Sequence, residues 1–152
     1  MKVYRISKCN YIDDLSGTGA ALYPGRWHNK GTYILYTAMS PSLALLESLA
    51  HITTVIKLDL CMVCLEVPEN SIQELAAERL PKGWAANPPP DPLKIIGDRF
   101  VKEEAFLALK VPSVVMPEEH NYLLNPAHPE FERVRVLYTR RIPVDERLVR
   151  KS

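Results

Sequence analysis

Glu47 is the one formally charged side chain in the stretch Pro41 to His51, where its neighbours include Leu43, Ala44, Leu45, Leu46, Leu49 and Ala50. A carboxylate in such surroundings is costly to bury unless something pairs with it. No Lys or Arg stands three or four positions away to do so along one helix face. Its partner must come from elsewhere in the fold, as a structural contact across the core, as water at the helix edge, or at a functional site, where such groups concentrate. Arg26 lies between Gly25 and Trp27, a short way before Tyr36. A cation, an indole and a hydroxylated ring suit a planar or phosphorylated ligand, the guanidinium pairing with phosphate oxygens while the rings stack on a base. The same residue types equally describe a solvent-facing arginine beside two core aromatics, so type alone leaves both readings standing.

Other reactive side chains have less support. Ser113 interrupts the apolar run LALKVPSVV, but a nucleophilic serine needs an adjacent base, and no G-x-S-x-G surrounds it. His28, His51, His120 and His128 fall into no metal-binding spacing. Cys61 and Cys64 form a CxxC inside IKLDLCMVCLEVP, which reads as a strand. Side chains three apart on a strand point to opposite faces, so the two thiols should not share a metal, and no second CxxC completes a zinc site.

The elements that must position these residues follow from local pattern. KVYRIS (2–7) reads as a first strand, and the segment around LSGTGA (15–20) as a loop. The Asn29-Lys30-Gly31 turn between two β-prone pieces predicts a hairpin with Arg26 on one strand and Tyr36 on the other. Ser40 followed by Pro41 is a helix start, a capping hydroxyl before a residue that has no N–H to lose. The helix it opens, running to about His51, is so apolar that enclosure on most sides is expected. A strand over 55–67, an amphipathic helix over 69–80, and an ordered loop or lid at Pro81 to Pro92 come next. A short helix, a strand at about 106–115, a turn-rich segment EHNYLLNPAHPEF and a final strand RVRVLYTRRI complete the chain.

Composition bounds the class. The chain has 152 residues, 47% of them hydrophobic, which suffices for one core, and a single α+β domain over 1–152, one mixed sheet with short helices, is expected. Thirteen prolines exclude long-helix bundles. Nineteen basic against eighteen acidic side chains leave a net charge of +1, so no global field draws the protein to nucleic acid or anionic lipid. Arg133, Arg135, Arg140, Arg141, Arg147, Arg150 and Lys151 interleave with Glu130, Glu132, Asp145 and Glu146, as on a solvated edge strand. No apolar stretch is long enough for a membrane span or a signal-peptide core, and three cysteines are an odd number. These features favour the cytoplasm and unpaired thiols.

Taken in order, YRIS (4–7), LSGTGA (15–20), GRWHNKG (25–31), YILYTA (33–38), SPSLALLESLAH (40–51), LKVPSVV (109–115) and NYLLNPAHPEF (121–131) resemble the RES domain across almost the whole chain. RES domains are the toxin half of bacterial RES–Xre toxin–antitoxin modules. Pro24 stands where most of the family carry a second glycine before the GRW arginine. The resemblance implies an ADP-ribosyltransferase-like fold acting on NAD, by hydrolysis or phosphorolysis of the nicotinamide–ribose bond or by ADP-ribosylation of a protein. It assigns Arg26, Tyr36 and Glu47 to catalysis. Arg5, Arg26, Trp27, Tyr36, Ser113 and Asn125 become NAD-binding residues, with Ser113 orienting rather than attacking. NAD is then a substrate, with no further cofactor and no metal. The implied partners are a helix-turn-helix, Xre-type antitoxin over the pocket entrance and a second copy in a homodimer, with no direct contact to nucleic acid or membrane. A ribonuclease-type toxin and a non-catalytic nucleotide-binding module are the alternatives.

Overall fold

The computed structural model describes residues 1–51 and 59–149. Seven strands form one mixed sheet: β1 (Lys2–Lys8), β2 (Leu35–Ala38), β3 (Leu60–Glu66), β4 (Ile72–Glu74), β5 (Ala108–Pro112), β6 (His120–Leu124) and β7 (Arg135–Ile142). Their order is β4-β5-β6-β2-β1-β3-β7. β4 and β5 run parallel, and every other neighbouring pair is antiparallel. Three helices join them: α1 (Thr18–Leu22), α2 (Pro41–Ala50) and α3 (Asp91–Glu103). No helix among the described residues is long and apolar enough to cross a membrane.

Alternation along the strands divides the core between the two sheet faces. Val3, Leu35, Cys61, Val63, Leu65, Ala108 and Leu124 pack on one face, with Ile12 closing over them. Ile34, Leu109, Val111 and Leu123 lie on the other, under Trp27, Leu80 and the α3 residues Leu93 and Phe100. A smaller patch on that second face joins Ala38, Tyr4 and Ile6 to Leu43 and Ala44 of α2. α2 and α3 therefore both pack on the face that carries Tyr36 and Ala38.

Local signals that needed no distant partner hold. Ser40 Oγ accepts the Leu43 amide at 3.1 Å, and Pro41 is the first residue of α2. β7 is an exposed edge strand, with Arg135 paired to Glu66 and Arg141 to Asp59. Arg150 and Lys151 lie outside the described residues, as do 55–58 of the strand expected over 55–67, which is β3 from Leu60.

Elements that depend on tertiary pairing differ from expectation. The helix expected over 69–80 is instead β4 and a 3-10 turn at Ala77–Arg79, because Ile72 to Glu74 pair with Ala108 to Lys110. The hairpin around Asn29 is absent. Gly25 and His28 form one isolated bridge, while β2 takes β1 and β6 as its neighbours. LSGTGA is not a plain loop but leads into α1, with Gly17 at its N-cap in the left-handed region (φ 79°). The proline segment is an ordered loop up to Pro90, as expected, but its end enters α3: Pro90 stands at the N-cap, and Asp91 and Pro92 form the first turn, where a missing N–H costs nothing. The turn-rich segment after Glu118 contains β6, held from both sides. Only Leu43 and Ala44 of α2 are fully buried, and Leu46 is 38% exposed, so the helix covers the sheet with one narrow side and is not enclosed. The cysteines are not all unpaired either: Cys9 and Cys61 form a disulfide, joining the chain just after β1 to β3, and Cys64 is free and buried.

Candidate functional site

Glu47 falls one helical turn beyond Leu43 and Ala44, on the sheet side of α2. Two donors meet the same carboxylate oxygen. Ser113 Oγ donates to Glu47 Oε1 at 2.6 Å and Asn121 Nδ2 donates to it at 2.8 Å. The direction of the serine bond is fixed by what else its hydroxyl does, since Ser113 Oγ accepts the amides of Val115 and Met116, each at 3.1 Å. With both lone pairs filled, its proton has one place to go. Glu47 thus finds across the fold the partners its own helix lacks, and Oε2 stands outside both bonds.

Arg26 Nη1 donates to the carbonyls of Trp84 (2.9 Å) and Ala86 (3.0 Å), tying the segment before α3 to the site. Burial lowers its pKa from the ordinary value, and Glu47 and Tyr36, both close enough to matter, pull it back up. Tyr36 is the hub of a second network. His28 Nε2 faces the carbonyls of Ala20 (2.7 Å) and Tyr23 (2.8 Å), so it carries the proton. Nδ1 is then the acceptor, and Tyr36 Oη donates to it at 2.6 Å while accepting the Trp27 amide at 3.3 Å. Burial drives the Tyr36 pKa far up. Gly25 leaves room for this pair: a Cβ there would lie 2.7 Å from His28 Cε1 and 3.0 Å from Tyr36 Oη.

β1 and β2 are paired only at Tyr4 and Ala38. Beyond that pair they diverge, and a cleft of about 690 Å³ opens, lined by Arg5, Tyr11, Asp14, Tyr23, His28 and Tyr36 among others. Because Tyr4 faces Ala38, Arg5 projects from the opposite sheet face to Tyr36, and the two meet only because the strands part. Arg5 Nη1 donates to Ile12 O at 3.0 Å; burial lowers its pKa and Asp14 raises it. Glu47 is reached two residues further along β2, where Ala38 pairs with Asn121. A wider depression of about 820 Å³ beside Asp13, Asp98 and Phe131 holds none of the expected site residues.

Glu47, Ser113 and Asn121 form one hydrogen-bonded cluster, Arg5, His28 and Tyr36 share the cleft, and the charge on Arg26 feels both Glu47 and Tyr36. Two expected ligand contacts are placed elsewhere. Trp27 is 3% exposed, its ring packed in the core under α3, so it presents no free face for stacking. Asn125 is buried, donating to Val101 O at 3.0 Å and accepting the Ala127 amide at 3.0 Å, which joins β6 to the end of α3. His28 and Asn121 were missed. The sequence signals were a histidine one residue after the GRW segment and a polar residue at an inward strand position.

A sheet parted between two strands, with an arginine and a tyrosine at the opening and a doubly anchored glutamate beyond it, defines an α+β protein with a polar cleft at the parting of its sheet. The RES domain family model matches residues 2–145, and the chain belongs to that family. It is 36% identical over 153 residues to "Toxin Res" of Photorhabdus laumondii, covering 99% of this chain and 98% of that one. It is 37% identical over 144 residues to the "Prs ADP-ribosylating toxin" of Sphingobium sp., covering 92% and 89% respectively. In fold it matches a chain of the crystal structure of the M. tuberculosis MbcT–MbcA toxin–antitoxin complex, with a TM-score of 0.78 at 14% identity, over 93% of this chain and 83% of that one.

Proposed function

We propose that this protein is a toxin enzyme that consumes NAD by breaking the nicotinamide–ribose bond, passing the ADP-ribosyl group to water, to phosphate or to a protein side chain. The observation that carries the reading is Glu47 held by Ser113 and Asn121 through one oxygen, beside Arg26 and Tyr36. As nicotinamide leaves with the bonding electrons, C1′ of the ribose gains oxocarbenium character. Glu47 Oε2 accepts from the ribose hydroxyls and sets negative charge beside the cation, an interaction stronger in the transition state than in the ground state. Arg5 and Arg26 turn the N–H groups not spent on carbonyls toward the pyrophosphate. Tyr36 offers its ring to nicotinamide, and its hydroxyl, committed to His28, is no proton donor to the reaction. Trp27 and Asn125 serve as supports of the walls. NAD is a substrate here, and no step calls on a metal.

Relatives named as toxins, and a fold neighbour from a toxin–antitoxin complex, support a neutralising partner. In this reading it is an Xre-type helix-turn-helix antitoxin that covers the cleft, in the cytoplasm, over a homodimer of the toxin. With a net charge of +1, DNA binding is left to the antitoxin. A ribonuclease reading has less support, since His28 has both ring nitrogens engaged. Incubating the protein with NAD and with RNA separates the readings. Free nicotinamide, abolished by Glu47→Gln, is expected. RNA fragments with NAD intact, or a Glu47→Gln variant that still arrests growth, would overturn the assignment.

A further inference from the structure

Asn121 sits in mid-sheet, its residue paired with Ala38 on one side and Val111 on the other. Asparagine is a poor strand former, and nothing about those neighbours calls for it. Its amide cannot be turned round: with Oδ1 in place of Nδ2, two oxygen acceptors would face each other across Glu47. The contact with Glu47 therefore fixes Oδ1 on the other side of the amide, and that oxygen is buried without a hydrogen-bond partner among the described residues. Such an acceptor costs free energy in every molecule unless something fills it.

We propose that Asn121 is a substrate-contacting residue of this site, anchoring Glu47 through Nδ2 and reading a hydrogen-bond donor of the nicotinamide-ribose end through Oδ1. The inference rests on the NAD reading above. Two parts of that end carry a donor, the carboxamide N–H and the ribose hydroxyls, and either completes the vacant acceptor. Only one residue then couples the recognition of the leaving half to the placement of the carboxylate that stabilises the cation.

The test measures nicotinamide release and NAD affinity in the full chain for the wild type, Asn121→Ala and Asn121→Asp. Asn121→Ala should weaken NAD binding about tenfold, the loss of one or two hydrogen bonds, and lower kcat by about tenfold or more. Its melting temperature should stay close to that of the wild type. Asn121→Asp keeps an acceptor but sets a carboxylate against Glu47, and should lose kcat more than affinity. An acetylpyridine analogue of NAD lacks the carboxamide donor, and analogues with a 2′-deoxy or a 3′-deoxy nicotinamide ribose each lack one of the ribose donors. The wild type should discriminate against one of them, and Asn121→Ala should lose that discrimination. A variant with unchanged affinity and unchanged discrimination overturns the proposal, whatever its stability. If the wild type binds NAD but releases no nicotinamide, the transfer reading fails while affinity still judges Asn121; if it binds no NAD, both fall.

Discussion

Ser113 Oγ lies 2.6 Å from Glu47 Oε1, a contact across 66 positions of sequence between a strand end and a helix. The serine is fully buried and its hydroxyl holds two backbone amides as well as the carboxylate. One side chain thus shapes the turn after β5 and aims the charge at the centre of the site.

Ser113→Ala should therefore cost stability and activity together. Two partly buried amides lose their acceptor, a loss of about 1 kcal/mol or more. Nicotinamide release should fall about tenfold or more as Glu47 loosens. Glu47→Gln keeps an oxygen for both donors, so its melting temperature should match the wild type while release is lost. Equal melting losses in the two variants would contradict this division of labour.

Tyr36→Phe leaves His28 Nδ1 without its donor and the Trp27 amide without its acceptor. A destabilisation of about 1–3 kcal/mol is expected, read as a lower denaturant midpoint. The ring remains, so nicotinamide release should fall less than in Tyr36→Ala. Because burial raises the Tyr36 pKa, an ultraviolet titration of the native protein should show a late-ionising component that Tyr36→Phe removes.

Gly97→Ala should be among the most damaging small substitutions. A Cβ at Gly97 would lie 1.6 Å from the Trp27 carbonyl oxygen, so α3 could not pack against the chain that carries Arg26. Alanine is worth about 1 kcal/mol over glycine in a helix, far too little to offset this overlap. Gly19→Ala in α1 meets nothing within 4 Å, and should be neutral or slightly stabilising. Melting curves of the two variants should diverge in opposite directions from the wild type or leave Gly19→Ala unchanged.

Asp98 gives a pH dependence. Burial pushes its pKa up, but bonds from the Asn29 amides and Thr32 hydroxyl outweigh that and leave it lowered. The folded carboxyl thus takes a proton less readily than the unfolded one. Its contribution is complete above the ordinary carboxylate value of about 3.9 and is lost as pH falls from there through the folded value. Acid should lower the melting temperature of the wild type more steeply than that of Asp98→Ala below about pH 4. Parallel acid limbs would count against it.

What could be read from the sequence is what adjacent residues decide. Ser40 and Pro41 specify the start of α2 by local hydrogen bonding and a fixed φ, which places Glu47 on a helix whatever surrounds it. The charges around β7 mark an exposed edge because solvation depends on the side chains themselves. The order of the motif segments identified the family for the same reason. What depended on a partner far along the chain was not legible. The segment 69–80 has a helical pattern, and only β5 makes part of it a strand. Trp27 looks like a stacking ring until α3 covers it, and Asn121 looks like one polar residue in a turn-rich tail until Glu47 arrives from the other side. Arg5 and Tyr36 face opposite sides of one sheet, and only the parting of β1 from β2 lets them share a cleft. Sequence by itself determined the family and the helix that carries the carboxylate. The tertiary structure decided which of the site residues meet, because hydrogen bonds and burial depend on distance in space, and the bonds that anchor Glu47 and Arg26 join residues dozens of positions apart.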